Sequence, residues 1–329
     1  MIAKKITLKK IGILTSGGDA PGMNACIRAV VRTALFHKIE CIGFKRGYEG
    51  LIHNDHLQLD HRSVANIIQR GGTILKTARS KAFETKNGLL KAKETLLKNK
   101  IDGLIVIGGD GTFKGALALS KIAHIPIVGC PGTIDNDLVG TDFTIGYDTA
   151  INTVIEATDK IRDTAESHSR IFIVEVMGRD AGLIALRSGI ASGAEAILVP
   201  ERKEKNNDLI AKLKRGRADK FSKIIMVAEG DESGGAIKVA EFLKKNFPLL
   251  DIKVTILGHI QRGGSPTCMD RVNASRIGYH AVQALLEKKK GIMVGIINGK
   301  ISFTPLEMVI KHIQSLPSEM FQIAEVLSK

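Results

Sequence analysis

The sequence predicts an α/β fold built on largely parallel sheets, and three observations lead there. Short runs rich in Ile and Val alternate with segments of helical periodicity. Those runs are apolar almost throughout rather than at every second residue, and a Gly and Asp cluster follows each one. A strand that is apolar throughout is buried on both faces, as in a parallel sheet covered by helices on each side.

Along the chain the pattern first appears as "KIGIL", then "TSGGDAPG", then "MNACIRAVVRTALF", where Cys26, Ile27, Val30, Val31 and Ala34 recur at helical spacing. "KNGLLKAKETLLKNK" repeats Leu at helical spacing and leaves its lysines as a solvated face. "GLIVI" then runs into "GGDGT", and "IPIVGC" into "PGTIDND". The helix after that, "YDTAINTVIEATDKIRDTA", carries Ile151, Val154, Ile155, Thr158 and Ile161 on one face. The connection before it is far longer than is usual between a strand and its helix, which marks the loop as functional. "IFIVEV" before "MGRDAG" and "IIMVA" before "EGDESGG" complete the set. Ligands of parallel sheets bind beyond the carboxyl ends of the strands, so all of these polar clusters are candidates for a site. No solenoid repeat, low-complexity segment or Pro/Ser-rich linker interrupts the chain, and a domain boundary is placed near residue 146.

With 329 residues, 44% of them hydrophobic, the chain can supply a core for each of two domains. Its longest apolar runs fall well short of the roughly 20 residues that cross a bilayer. The N-terminus passes from lysines straight into a strand without the apolar region of a secretory signal, so a cytoplasmic location is expected. Four cysteines, Cys26, Cys41, Cys130 and Cys268, lack CxxC or metal-ligand spacing and read as reduced packing residues. A net charge of +14 invites a nucleic-acid reading, but aromatics are only 4% and tryptophan is absent, so stacking platforms are scarce. Anionic small molecules suit the charge equally well.

Three loops carry chemistry by their own residue types. In "GGDGT", Gly108 to Thr112, glycines let backbone amides approach a phosphate, and Asp110 offers a carboxylate to a Mg²⁺ bridging phosphate oxygens. The same residues also suit a plain strand-to-helix turn. "TSGGDAPGMNA" adds a second glycine-rich turn at the head of a helix, where free N–H groups favour an anion. In "PGTIDND", the two-residue spacing of Thr133, Asp135 and Asp137 puts them on one side if the segment is extended. One carboxylate is then free to accept a proton and the other to orient a metal or a hydroxyl. The alternative is a set of Asx-turn residues shaping a loop.

Taken in order, "IGILTSGGDAPGMNACIR", "RGGTILKTARS", "IGGDGT", "PGTIDND", "VEVMGRDAG", "AEG" and "LGHIQRGGSP" resemble the successive signatures of bacterial ATP-dependent 6-phosphofructokinases. The resemblance spans about residues 10 to 280. It implies two Rossmann-like three-layer α/β/α domains: residues 1–146 plus about 261–307 for the nucleotide, and 147–260 plus about 308–329 for the sugar phosphate. It also implies phosphoryl transfer from ATP to the 1-hydroxyl of fructose 6-phosphate, the committed step of glycolysis, with Mg²⁺ and a homotetramer. Carried over, Asp135 is the base, with Thr133 and Asp137 beside it, and Arg179 neutralises charge on the moving phosphoryl group. Asp110 holds Mg²⁺, Gly17 and the amides of Gly109, Asp110, Gly111 and Thr112 cradle the phosphates, and Arg79 and Ser80 border the nucleotide. The sugar phosphate falls to Thr133, Ile134, Met177, Gly178, Glu229, His259, Ile260, Gln261 and Arg262, with Arg170 and Lys253 reaching its phosphate from a neighbouring subunit. An ADP or phosphoenolpyruvate effector would meet Arg28, Arg32, Arg162, Glu195 and Lys220.

Three positions depart from the family pattern. Lys253 stands where arginine is usual, keeping charge but losing the bidentate fork for phosphate. Lys76 adds a charge beside the nucleotide region, and Phe221 and Ser222 replace a lysine and a histidine of the effector pocket. The rivals are a pyrophosphate-dependent phosphofructokinase, disfavoured by the small residues Gly111 and Gly132, and a non-catalytic nucleotide-binding module, disfavoured by the Asp135, Asp137 and Arg179 set.

Overall fold

A computed structural model of the chain describes residues 8–168, 170–202, 206–215, 222–312 and 314–328. In chain order the elements are β1 (Lys10–Thr15), α1 (Met23–Phe36), β2 (Glu40–Phe44), α2 (Tyr48–His53), β3 (His56–Leu59), α3 (Lys86–Lys98), β4 (Gly103–Gly108), α4 (Asp110–Ala123) and β5 (Ile127–Pro131). There follow α5 (Tyr147–His168), β6 (Ile171–Val176), α6 (Leu183–Ala191), β7 (Ala196–Leu198), α7 (Asn206–Arg215), β8 (Lys223–Ala228), α8 (Gly235–Asn246) and β9 (Ile252–Ile256). The last are α9 (Cys268–Leu286), β10 (Ile292–Ile297), β11 (Lys300–Pro305), α10 (Leu306–Val309) and α11 (Ser318–Leu327). Two 3-10 turns, Ala82–Glu84 and Gly258–Arg262, complete the set. The chain forms two compact units: Met1–Thr133, Leu138–Asp148 and Arg262–Ile313 make the first, and Ile134–Asp137, Thr149–Gln261 and Gln314–Lys329 the second.

In the first unit the strand order is β11-β10-β5-β4-β1-β2-β3, parallel except for the β2–β3 and β10–β11 pairs. The sheet grows outward from β1 in one direction and from β4 in the other, so the order reverses between those neighbours, the usual place for a ligand. Leu14, Phe44, Leu104 and Val106 pack with Leu51 of α2, Phe83, Leu96 of α3, Phe113 of α4 and Leu306 of α10. The alternate residues Ile11, Ile13, Ile105 and Ile107 are equally buried and point to the opposite face. On that side α1 packs against α9, and α9 against β4, β5 and β10. Gly278 permits the α1–α9 approach, because a Cβ there would stand 2.7 Å from the Cys26 carbonyl oxygen. Each such buried Ile or Leu contributes about 1.5–3 kcal/mol.

The second unit holds a wholly parallel sheet in the order β7-β8-β6-β9. Ile171, Ile173, Ile225 and Val227 pack with Leu209 and Leu213 of α7 and Val239 and Leu243 of α8. Val174, Ile224 and Met226 are buried on the other face, where α6 lies on β7 and β8 and α11 rests on α6.

Every strand and helix named from the sequence is present. The five apolar residues chosen on α1 are fully buried, while Lys86, Lys91 and Lys98 of α3 are exposed. No helix among the described residues is long and apolar enough to cross a membrane.

Candidate active site

In the first unit the loops after β1, β4 and β5 are tied together by backbone groups. Ser16 N–H donates to Ile107 O (3.0 Å) and Gly132 N–H to Gly108 O (2.9 Å). The Thr112 hydroxyl donates to Ser16 O at 3.0 Å, so it braces the β1 loop rather than facing outward. A Cβ on Gly109 would meet the Thr133 side chain at 3.5 Å, which puts the GGDGT and PGT turns side by side. Helix α4 starts at Asp110 without a side-chain cap, so its first amides are unspent by the chain's own capping groups. A Cβ on Gly111 would meet nothing within 4 Å. Asp110 pairs with Lys114 at 2.6 Å and is partly exposed.

The second glycine-rich stretch differs from its expectation. The head of α1 is closed: Ala20, Pro21, Gly22 and Met23 are buried, and Met23 N–H donates to Ala20 O. Only Gly17, Gly18 and Asp19 of that stretch remain partly open, with Gly17 at φ 85°. Arg262 belongs to this unit, and its Nη1 donates to the Asp19 carbonyl at 3.1 Å. The segment carrying Lys76, Arg79 and Ser80 is held by Asn24, whose side chain bonds Arg70 O, Gly71 O and Ile74 N–H. Thr15 adds a bond to Lys76 O, and Thr77 to Gly17 O. Lys76 is exposed and left-handed, with φ 57°, and Arg79 is exposed. The Ser80 hydroxyl donates to Glu49 at 2.5 Å.

The PGTIDND segment is not extended, because the chain bends at Ile134 and Asp135 and Asn136 is left-handed (φ 53°). The two-residue alternation argued from the sequence therefore does not hold there: Ile134, Asp135 and Asn136 are all buried, and Asp137 is half-buried. Contacts assign Thr133 to the first unit and Ile134–Asp137 to the second. Within the second unit Asp135 Oδ2 lies 3.6 Å from Arg179 Nε, with the Asp135 side chain 3% exposed and that of Arg179 48%. The loop bearing Arg179 is wound tightly, with Gly178 at φ 144° and Arg179 at φ 53°. Glu229 Oε1 holds it by accepting Arg179 N–H (2.9 Å) and Gly178 N–H (3.3 Å).

Met177 is buried, and its N–H donates to Gln261 Oε1 at 3.2 Å. His259 and Ile260 are exposed. Arg170 Nε and Lys253 Nζ flank one carboxylate, Asp251, at 2.6 Å and 2.8 Å. Hydrogen bonds from Lys253 and then Arg170 hold the Asp251 carboxyl below the usual carboxylate range. Among the expected effector residues, Arg28 and Arg32 lie on α1 of the first unit. Arg162 donates to Ser192 O (2.5 Å) and Gly193 O (3.3 Å), where its charge suits the end of α6. Glu195 is buried and accepts Ile224 N–H at 2.6 Å, and Ser222 is buried. Lys220 and Phe221 lie outside the described residues.

Three contributors escaped sequence reasoning. Tyr48 donates its hydroxyl to Thr112 O at 2.6 Å, and burial pushes the phenol far up, so it stays a donor. Glu49 accepts the Ser80 hydroxyl, and Asp251 pairs with Arg170 and Lys253. Only the "YEG" that opens α2 and a lone Asp before β9 signalled them.

With this geometry in place, comparison with known proteins is direct. The phosphofructokinase (PFK) family model matches residues 10–285. The chain belongs to the phosphofructokinase family. The ATP-dependent 6-phosphofructokinase of Cytophaga hutchinsonii is 52% identical over 322 residues, 98% of each chain. ATP-dependent 6-phosphofructokinase 1 of Thermus thermophilus is 52% identical over 325 residues, covering 98% of this chain and 100% of that one. Among solved structures, phosphofructokinase from Saccharomyces cerevisiae superposes with a TM-score of 0.89 at 37% identity over 97% of this chain. This phosphofructokinase spans 48% of the length of the yeast chain. A pyrophosphate-dependent phosphofructokinase from Marinobacter aquaeolei superposes with a TM-score of 0.86 at 21% identity, covering 97% of this chain and 91% of that one, a likeness of fold alone.

Proposed function

We propose that this phosphofructokinase transfers the γ-phosphoryl group of ATP to the 1-hydroxyl of fructose 6-phosphate, giving fructose 1,6-bisphosphate and ADP. The observation that carries the reading is the buried Asp135 carboxylate 3.6 Å from the Arg179 guanidinium. A carboxylate sheltered from water with a guanidinium beside it is suited to take one proton. Asp135 accepts the proton of the 1-hydroxyl as its oxygen bonds to the γ-phosphorus and the bond to the β-phosphate oxygen breaks. Arg179, half-exposed at the mouth of the pair, offsets the charge gathering on the transferred group. Glu229 keeps the Arg179 loop in its tight conformation through the two backbone amides.

The first unit is read as the nucleotide half. The uncapped start of α4 supplies amides for phosphate oxygens, and the open space at Gly111 leaves room for the donor. Asp110 fits Mg²⁺ as a single carboxylate, since this ion takes one or two protein carboxylates and completes its shell with water and phosphate oxygens. When bound, Mg²⁺ would spread the charge of the phosphates. The second unit is read as the sugar-phosphate half, with Met177, Gly178, Glu229, His259 and Gln261 around the substrate. Arg170 and Lys253 are assigned to the phosphate of a neighbouring subunit in a homotetramer, and Arg28, Arg32 and Arg162 to an anionic effector. Water-soluble substrates make a cytoplasmic setting the natural one.

The test is a coupled assay for ADP. Release that requires both fructose 6-phosphate and Mg²⁺ is expected, and ADP release indifferent to the sugar phosphate would contradict the reading.

A further inference from the structure

We propose that Gln261 is a positioning residue that clamps the loop after β6 to the turn after β9, fixing the spacing of the two. Its role rests on the sugar-phosphate reading of this unit, but its evidence is geometric. The side chain is fully buried. Its Oε1 accepts Met177 N–H at 3.2 Å and its Nε2 donates to Gly258 O at 3.0 Å. An N–H needs an acceptor and a carbonyl needs a donor, so only one orientation of the amide serves both.

Its place in the sheet explains the need. β6 and β9 are paired up to Glu175 and Ile256, and the next backbone bond, Leu257 N–H to Glu175 O at 3.1 Å, is the last. Beyond it β9 turns into the 3-10 turn Gly258–Arg262, while the β6 chain runs on to Met177. The Gln261 amide returns from the far end of that turn to supply one more rung. On one side of the rung stand Met177, Gly178 and Arg179; on the other stands the turn that carries His259. These two bonds aim the buried amide at the backbone of both loops, one through its oxygen and one through its nitrogen. Gln261, placed by family likeness among the substrate contacts, is assigned here to holding the loops that carry them.

Three variants separate the possibilities. Gln261→Met keeps the volume and deletes both bonds, leaving Met177 N–H and Gly258 O unpaired. The half-saturation concentration for fructose 6-phosphate should rise about tenfold or more, since small misplacements at a distance are costly, while that for ATP stays within about twofold. Hydrogen exchange of the peptide containing Met177 should accelerate in the free protein. Gln261→Glu keeps the acceptor but donates to Gly258 O only when protonated. Relative to wild type, its half-saturation should therefore improve as pH is lowered from about 8 to about 6, burial having raised the new carboxyl. Gln261→Met should show no such recovery.

Unchanged exchange at Met177 in Gln261→Met overturns the clamp, and if the sugar half-saturation nonetheless rises, Gln261 touches the substrate itself. If Gln261→Met does not fold, a Gln261→Glu profile that parallels wild type at every pH overturns the clamp equally. Should the wild-type protein not turn over fructose 6-phosphate at all, the substrate reading fails, and the exchange comparison alone decides the clamp.

Discussion

Replacing Asp135 by Asn probes the proposed base while disturbing little else. The side chain keeps its shape in a pocket where only 3% of it is exposed, so no water stands by to replace the lost base. A positioned general base contributes about 10²- to 10⁴-fold, and kcat should fall by that factor, equivalent to about 3–5 kcal/mol of barrier. The ion pair itself changes less. At 3.6 Å its attraction is at most about 4–5 kcal/mol for an effective dielectric near 20. With Arg179 half in solvent, roughly 1 kcal/mol or less is the more realistic figure. The variant also no longer buries a charge, which offsets much of that loss. Melting temperature should therefore move little in Asp135→Asn and fall further in Arg179→Ala, which removes a cation from beside the buried carboxylate. ATP affinity, read as a property of the first unit, should stay within about twofold of wild type. The assays are steady-state ADP release, calorimetric ATP binding and a thermal melt. A kcat within about threefold of wild type would refute the assignment, as would an ATP affinity that collapses in step with kcat.

Three further outcomes are expected. Gly111→Asp is the cleaner probe of donor choice, because a Cβ there meets nothing, whereas one on Gly132 would press on Ile107 and Met23 at 3.0 and 3.1 Å. It should raise the half-saturation for ATP about tenfold or more without lowering the melting temperature, and an unchanged ATP curve would remove Gly111 from the donor site. Lys253→Arg restores a bidentate fork and should lower the half-saturation for fructose 6-phosphate several-fold, about one charge-assisted bond's worth; no change would show that Lys253 does not meet the phosphate. Feedback should be weak, since each lost charge-assisted bond removes about 1.5–3 kcal/mol, comparable to a whole allosteric coupling of about 1–3 kcal/mol. A large shift of the sugar saturation curve by millimolar phosphoenolpyruvate or ADP would show the pocket intact.

Much of the fold was legible because burial on both faces leaves an unambiguous mark. β4 and β5 are buried at every residue, and their Ile and Val runs stand out against the Gly and Asp that follow. Edge strands leave no such mark: β9 alternates apolar and polar residues with most of them exposed, and its "IKVTI" reads as nothing definite alone. At the site, residue types were readable but their conformations were not. The left-handed Asn136 that breaks the extended reading of IDND is a tertiary choice, invisible in the spacing of Asp135 and Asp137. Closure of the α1 head likewise depends on Ile145, far along the chain, whose side chain lies against Gly22. Bracing groups such as Tyr48, Asn24 and Asp251 act through a few hydrogen bonds or ion pairs to segments far along the chain, a relation that no local pattern encodes.

Identification of the product tests the central claim most directly. The protein, with ATP, Mg²⁺ and fructose 6-phosphate, should generate a new phosphate ester on the 1-hydroxyl, seen by phosphorus NMR, in one-to-one step with ADP. Pyrophosphate in place of ATP should yield none. ADP formed without the bisphosphate, or the bisphosphate formed readily from pyrophosphate, would contradict the assignment of this chain as an ATP-dependent 6-phosphofructokinase.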